Sequence, residues 1–329
     1  MADDGMVPVT ILTGFLGAGK TTLLNRILRE NHGERIAVIE NEYGEAGVDN
    51  EILLQDRDEQ IVEMNNGCIC CTVRGDLVRI LGELKAKRAA GALRFDRVII
   101  ETTGMADPGP VAQTFFMDES IGEYYLLDAI VTVVDAKHGE RQLDEFREAQ
   151  EQVGFADRIL ISKTDLVTEH AVASLRHRLA RINPRAPVKA VHFGAAPIAD
   201  ILDVRGFNLN AILELDPDFL AEDAHAHDDA VHSFVFRSER PFEGAKLEEF
   251  LSGMIQVYGQ DMLRYKGVLH LRDNPHRVVF QGVHMLMGGD LGKPWSPDEK
   301  RESVLVFIGR NLPEDLFVQG LEQCLARPQ

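Results

Sequence analysis

Cysteine is scarce in this chain, tryptophan scarcer still, and positive charge is outnumbered. Only four Cys and one Trp occur in 329 residues. Three of the four cysteines crowd into one short stretch, which argues against a disulfide framework. No apolar run reaches the roughly 20 residues that cross a bilayer, and no secretory leader pattern is present, so the expected compartment is the reducing cytoplasm. Lys and Arg number 35 against 53 Asp and Glu, a formal charge of −18 at pH 7. Nucleic acid is therefore not an expected partner, because phosphate backbones need a basic face, and acidic membrane surfaces are disfavoured for the same reason. A negative field suits solubility and the capture of cations. Internal repeats and long low-complexity tracts are also missing.

What the chain does have starts at once. An apolar run, Val9-Thr10-Ile11-Leu12, leads into Gly14-Phe15-Leu16-Gly17-Ala18-Gly19-Lys20-Thr21-Thr22 and then a helical pattern from Leu23 to Leu28. Strand, glycine-rich loop and helix in that order make a phosphate-binding loop. Gly14, Gly17, Ala18 and Gly19 let successive backbone N–H groups turn toward one anion, and the helix N-terminus adds its partial positive charge. Lys20 is placed for the β and γ phosphates, and the Thr21 hydroxyl for Mg²⁺, with Thr22 completing the motif.

The base is read further along. A second strand-like run, Asp157 to Ile161, enters Ser162-Lys163-Thr164-Asp165. This is similar to the N-K-x-D guanine motif, with Ser in place of the usual Asn. Asp165 can accept from both N1–H and the 2-amino group of guanine, donors that adenine lacks there. The Lys163 stem can lie along the base. Ser162 lacks the amide that usually braces the loop. Between the two motifs, Phe95 to Ile100 reads as a buried strand ending in Glu101-Thr102-Thr103-Gly104. A carboxylate there can hold Mg²⁺ or its waters, and Gly104 lets a backbone N–H approach the γ-phosphate. Asp107 is a candidate for positioning the attacking water, or else simply forms the turn before Pro108.

The cysteines fall in the same interval, as Cys68-Ile69-Cys70-Cys71 behind Asn65-Asn66-Gly67; Cys324 stands alone. Three thiols within four residues can converge on a soft cation where the backbone turns, and zinc-type metals complete their tetrahedron with His, carboxylate or water. A redox-reactive cluster and plain burial remain open alternatives. Carboxylates are at hand in Glu40-Asn41-Glu42-Tyr43-Gly44-Glu45, a segment in the position of a switch loop. Three ligands from one loop make an open, exchangeable site.

The phosphate loop, E-N-E-x-G-E, N-G-C-I-C-C, E-T-T-G-M-A-D-P and S-K-T-D, in this order, resemble the CobW family of GTPases, relatives of the UreG and HypB metal-insertion GTPases, and most closely the YjiA-like subgroup. The resemblance spans nearly the whole chain, including Leu263-Arg264-Tyr265-Lys266-Gly267 and Val279-Phe280-Gln281-Gly282-Val283. It implies a GTPase that binds GTP or GDP with Mg²⁺ and carries Zn²⁺, or alternatively Co²⁺ or Ni²⁺, to a client metalloprotein. It also implies that Cys68, Cys70 and Cys71 hold the metal, with Glu40 and Glu45 as added ligands. A homo-oligomer dependent on nucleotide or metal is compatible with it. The competing class is a non-catalytic sensor whose output is partner choice. A phosphate-loop kinase with a structural zinc is disfavoured, since no Arg-rich lid is evident.

Strand-like runs at Val7–Thr13, Arg35–Asn41, Gln60–Met64, Phe95–Glu101, Ala129–Asp135, Arg158–Ser162 and Val188–Phe193 alternate with helical stretches. They predict an α/β, doubly wound, mostly parallel sheet with its ligands at the strand C-terminal ends. The helix Glu169–Ile182 should stop near Asn183-Pro184, and the chain after Val191-His192-Phe193-Gly194 should lie near the base. The expected domains are 1–207, an acidic linker 208–230, and 231–329. His225 and His227 in the linker, with His232 nearby, either collect metal or are simply solvated. The last segment shows four strand-like runs and two helices, which predicts a smaller α+β domain with an antiparallel sheet.

Overall fold

The computed structural model describes residues 6–30, 32–40, 73–192, 197–198, 201–204, 206, 230–296 and 299–327. The chain divides into two compact units, Met1–His177 with Ala186–Val204, and Arg178–Arg185 with Arg205–Gln329. The predicted strand Gln60–Met64, the Cys68–Cys71 motif, Glu45 and the His225/His227 linker lie outside the described residues.

In the first unit, β1 (Val7–Thr13), β2 (Ile36–Glu40), β3 (Arg97–Glu101), β4 (Tyr125–Asp135), β5 (Arg158–Ser162) and β6 (Val188–Ala190) form one sheet. Their order is β2-β3-β1-β4-β5-β6, and every pairing is parallel. This is the doubly wound sheet that the sequence predicts. The chain leaves β1 for one side of the sheet and returns to its other side at β4. The order reverses at β1, so the ligand crevice belongs at the C-terminal ends of β1, β3 and β4. Helix α1 (Lys20–Arg29) follows β1 directly, and α2 (Val73–Ala89) precedes β3. On α1, Leu23, Leu24, Ile27 and Leu28 recur at helical spacing and pack with Leu12, Val38, Ile99 and Val131. Each such buried aliphatic contributes about 1.5–3 kcal/mol. Tyr125 donates its hydroxyl to Leu81 O at 2.8 Å, which ties α2 to β4.

β4 begins earlier than the sequence predicts. Asp128 interrupts the apolar pattern, and the fold neutralises it: buried Arg97 Nη1 lies 3.1 Å from Asp128 Oδ2 and its Nε 2.9 Å from Glu34 Oε2, with Asp203 as a third acid. The other elements of this unit are α3 (Gly109–Met117), α4 (Glu119–Gly122), α5 (Gly139–Glu145) and α6 (Arg147–Phe155). Helix α7 (Glu169–Ile182) is divided between the two units after His177 and stops at Ile182 as its following Asn-Pro predicts.

The second unit is a five-stranded antiparallel sheet, built from β7 (Val231–Ser238), β8 (Met262–Leu269), β9 (His276–Val283), β10 (Leu286–Pro294) and β11 (Ser303–Arg310), ordered β10-β9-β8-β11-β7. Helices α8 (Gly244–Tyr258) and α9 (Glu314–Gln323) supply Leu247, Leu251, Phe317 and Leu321 to a core with Phe234, Tyr265 and Phe307. The α+β class is as the sequence predicts, but the strand count is five rather than four. The stretch Arg277–Met287, which reads in the sequence as one of those four strand-like runs, is a hairpin whose turn residue His284 takes φ +51°. No Gly or Pro marks that turn, and the apolar alternation continues through it.

Candidate nucleotide-binding site

The loop after β1 is shaped by contacts that admit no side chain. Gly14 has φ +143°, and a Cβ there would fall 2.3 Å from Val133 O. Phe15 is buried against Phe146, with ring centroids 4.7 Å apart. Gly19, at φ +101°, caps α1 without a side chain, leaving the first N–H groups of the helix open for an anion. The Gly17 backbone is also left-handed, at φ +73°.

Lys20 is 8% exposed and donates from Nζ to Gly14 O at 2.8 Å. Burial lowers its pKa, and the charge of Glu101 acts against that fall. The Thr21 hydroxyl donates to Glu101 Oε1 at 2.9 Å. Glu101 ends β3 and stands in register with Glu40 at the end of neighbouring β2, so two carboxylates end adjacent strands on one side of β1. Thr22 is exposed on α1. The pairing of a hydroxyl and a carboxylate beside a buried ammonium fits Mg²⁺ and a polyphosphate, since both are oxygen donors suited to a hard cation.

Gly104 lies against the phosphate loop: a Cβ there would be 2.6 Å from Leu16 N. Buried Gln152 of α6 donates from Nε2 to Gly104 O at 3.2 Å and Ala106 O at 3.0 Å. The Asp107 carboxylate accepts from Gly109 N at 2.8 Å, a turn at the start of α3. Thr102 Oγ1 donates to Thr13 Oγ1 at 2.8 Å, locking the end of β3 to β1.

The S-K-T-D segment folds onto the same loop. Ser162 Oγ donates to Ala18 O at 2.6 Å, so the hydroxyl braces the phosphate loop despite the missing amide. Lys163 takes φ +55°, a conformation that costs a non-glycine residue about 1 kcal/mol or more. Its Nζ is held by Gly17 O at 2.6 Å and by Asp135 Oδ2 at 2.7 Å. Asp165 is exposed in a short 3₁₀ turn, Thr164–Leu166, and His192 Nδ1 lies 3.6 Å from its Oδ1. The chain leaving β6 thus meets the Asp165 carboxylate.

The structure brings together Gly14, Gly17, Ala18, Gly19, Lys20, Thr21, Glu101, Gly104, Ser162 and Lys163. Among the described residues, no group of three or more His, Cys, Asp or Glu is placed to hold a metal ion, and the cysteine motif lies outside them. Two residues escape the sequence reading. Gln152 carries no motif, and its role needs a contact across 48 residues. Asp135 ends an apolar run followed by Lys137 and His138, whose backbone N–H groups it also accepts. A carboxylate at the tip of a strand next to the phosphate-loop strand was the available signal.

Residues 8–190 match a family model described as the CobW/HypB/UreG nucleotide-binding domain, and residues 231–325 match the cobalamin synthesis protein cobW C-terminal domain. The chain is 44% identical over 310 residues to the zinc chaperone YjiA of Escherichia coli K12, covering 94% of this chain and 96% of that one. It is 36% identical to the zinc-regulated GTPase metalloprotein activator 1 of Schizosaccharomyces pombe, covering 93% and 83% respectively. Among solved structures, Zn(II)-bound YjiA GTPase from E. coli superposes with a TM-score of 0.81 at 37% identity, covering 98% of this chain and all of that one.

Proposed function

The chain belongs to the CobW/HypB/UreG family, with a CobW C-terminal domain, and from that premise we propose that it hydrolyses GTP slowly, with Mg²⁺, to deliver zinc to a client metalloprotein. The observation that supports this most directly is the buried Lys20 beside the Thr21–Glu101 pair on a loop closed by Gly104. Lys20 is the charge available to the β and γ oxygens, which would displace its contact with Gly14 O. The added negative charge of those oxygens opposes the effect of burial and keeps the ammonium protonated. Thr21 and Glu101 would hold Mg²⁺ or its waters, and the metal, when bound, spreads the phosphate charge. The N–H of Gly104 would meet the γ-phosphate. Gln152 and the Asp107 turn fix the shape of that loop. Asp165 reads guanine, with Lys163 and Ser162 tying its segment to the phosphates.

The zinc assignment rests on the Cys68-Ile69-Cys70-Cys71 motif and on relatives named as zinc chaperones and a zinc-regulated GTPase. Cys68, Cys70 and Cys71 act as thiolates, with Glu40 and Glu45 as added ligands. Co²⁺ and Ni²⁺ are the second choices. The proposed compartment is the cytoplasm.

The test is turnover of purified protein with GTP and ATP in Mg²⁺. GTP should be hydrolysed and ATP should not compete for the site. Lys20→Ala should cut the rate at least about a hundredfold, the scale of one preorganised electrostatic contact. Asp165→Ala should lose the preference for guanine. Replacing Cys68, Cys70 and Cys71 by Ser should remove tight Zn²⁺ binding. Binding of GTP without turnover would replace the carrier reading by a nucleotide sensor.

A further inference from the structure

The protein as a whole is acidic, yet the second unit holds a cleft of about 690 Å³ lined by four arginines, Arg240, Arg272, Arg301 and Arg327, together with His270 and Asp273. They arrive from four separate places in the chain. Arg240 follows β7, Arg272 follows β8, Arg301 precedes β11 and Arg327 follows α9.

Backbone bonds fix three of these segments to one another. Phe242 pairs as a β-bridge with both Leu271 and Leu325. Phe242 N donates to His270 O at 2.8 Å, Arg272 N to Phe242 O at 2.9 Å, and Ala326 N to Pro241 O at 2.8 Å. The wall that carries Arg240, Arg272 and Arg327 is therefore preformed, which lowers the ordering cost of binding.

Two of the guanidiniums are held in place by protein groups. Arg240 Nη2 donates to Ala326 O at 2.7 Å, and Arg272 pairs with Glu243 at 2.5 Å. Arg301 and Arg327 form no ion pair with any described residue. The nearby Glu239 carboxylate is taken by Lys300 at 2.7 Å. Four positive charges, less Asp273 and Glu243, leave a surplus of two. A phosphate monoester carries about −1.5 to −2 at pH 7 in one compact group with three acceptor oxygens, and guanidinium forks match it bidentately. A carboxylate brings only one charge. The volume lies within the roughly 300–1,000 Å³ of small-molecule sites.

We propose that this arginine cleft is a binding site for a small phosphorylated ligand, separate from the phosphate loop. The chain contains its own reporter. Trp295, the single tryptophan, meets the His270 ring edge-on at 5.9 Å, so its fluorescence reads the cleft.

The experiment titrates the full chain with inorganic pyrophosphate at constant ionic strength while Trp295 fluorescence is followed. Lys20→Ala, which disables the phosphate loop, is run in parallel. A saturable change is expected in both proteins. Arg301→Gln with Arg327→Gln should weaken it about tenfold or more, the scale of lost charge-assisted hydrogen bonds. Circular dichroism verifies that this double variant is folded. No saturable change, a change that chloride reproduces, or one untouched by the double variant would overturn the proposal. So would a change lost in Lys20→Ala. Saturation by a hexaglutamate peptide but not by pyrophosphate would replace the small ligand by an acidic segment of a partner.

Discussion

Ser162 occupies a position where the guanine motif usually carries an amide, and its hydroxyl serves the loop instead. The bond to Ala18 O is short, at 2.6 Å, and buried. Ser162→Ala leaves a buried carbonyl unpaired, at about 1–3 kcal/mol. That carbonyl lies inside the phosphate loop, so the loss should appear in ligand affinity, as a rise of about fivefold or more in the Kd for GDP by calorimetry. An unchanged Kd in Ser162→Ala would show that the hydroxyl does not brace the site. Much of the residue-level site was legible because its chemistry is local. Lys20 and Thr21 sit within one loop, and the glycines announce the backbone angles they then adopt. Gln152 was not legible, because an amide in a helix says nothing about carbonyls on another segment. Glu40 lay between these cases: its carboxylate was visible, but its register beside Glu101 came only with the parallel pairing of β2 and β3.

At the level of elements, the loop from Thr102 to Pro108 is held at three points: Thr102 on β1, Gln152 on α6, and its own Asp107 turn. Gln152→Leu keeps much of the side-chain volume but unpairs the carbonyls of Gly104 and Ala106. In the proposed function this loop meets the γ-phosphate rather than the base, so kcat should fall about tenfold or more with KM little changed. A raised KM with kcat unchanged would place the effect on nucleotide binding instead. A second element-level effect is pH dependence in the second unit. His270, at the end of β8, has its pKa lowered first by burial and then by Arg301, against a hydrogen bond to Glu239 O. The unfolded imidazole takes a proton near pH 6.5 while the folded one resists, so the unfolded state binds more protons in that window. Stability is then full above about pH 6.5 and falls as the solution is acidified. Urea midpoints at pH 7.5 and 5.5 should differ more in the wild type than in His270→Asn; parallel shifts would dismiss this histidine as a contributor. The elements themselves were legible wherever period and punctuation agreed, as in β1, α1 and α7. They were misread where a tertiary contact overrode the pattern. Asp128 shortened the apparent β4 because Arg97 is invisible to a local window, and the β9–β10 turn at His284 carries no turn residue.

For the whole molecule, the decisive question is whether nucleotide and zinc act on one another. The chain leaves β2 at Glu40, and α2 begins at Val73, so in sequence the cysteine motif lies between the end of β2 and a helix of the same unit. Glu40 stands in register with Glu101, and Glu101 accepts from Thr21. A γ-phosphate that recruits Thr21 and Glu101 would therefore change the charge at the strand end from which the cysteine segment departs. Linkage requires that zinc alter GTP affinity by the same factor by which GTP alters zinc affinity. The direction expected for a carrier is tighter zinc in the GTP state and release after hydrolysis, with a coupling of about 1–3 kcal/mol, or roughly 5- to 150-fold. The measurement is a Zn²⁺ competition titration of the full chain with GDP and with a non-hydrolysable GTP analogue, repeated for Glu40→Gln. Tighter binding with the analogue, reduced by the Glu40 substitution while guanine affinity persists, would place the link at the end of β2. Equal zinc affinities in the two nucleotide states would leave two independent sites in one unit, and hydrolysis would then have to act on the client rather than on the metal.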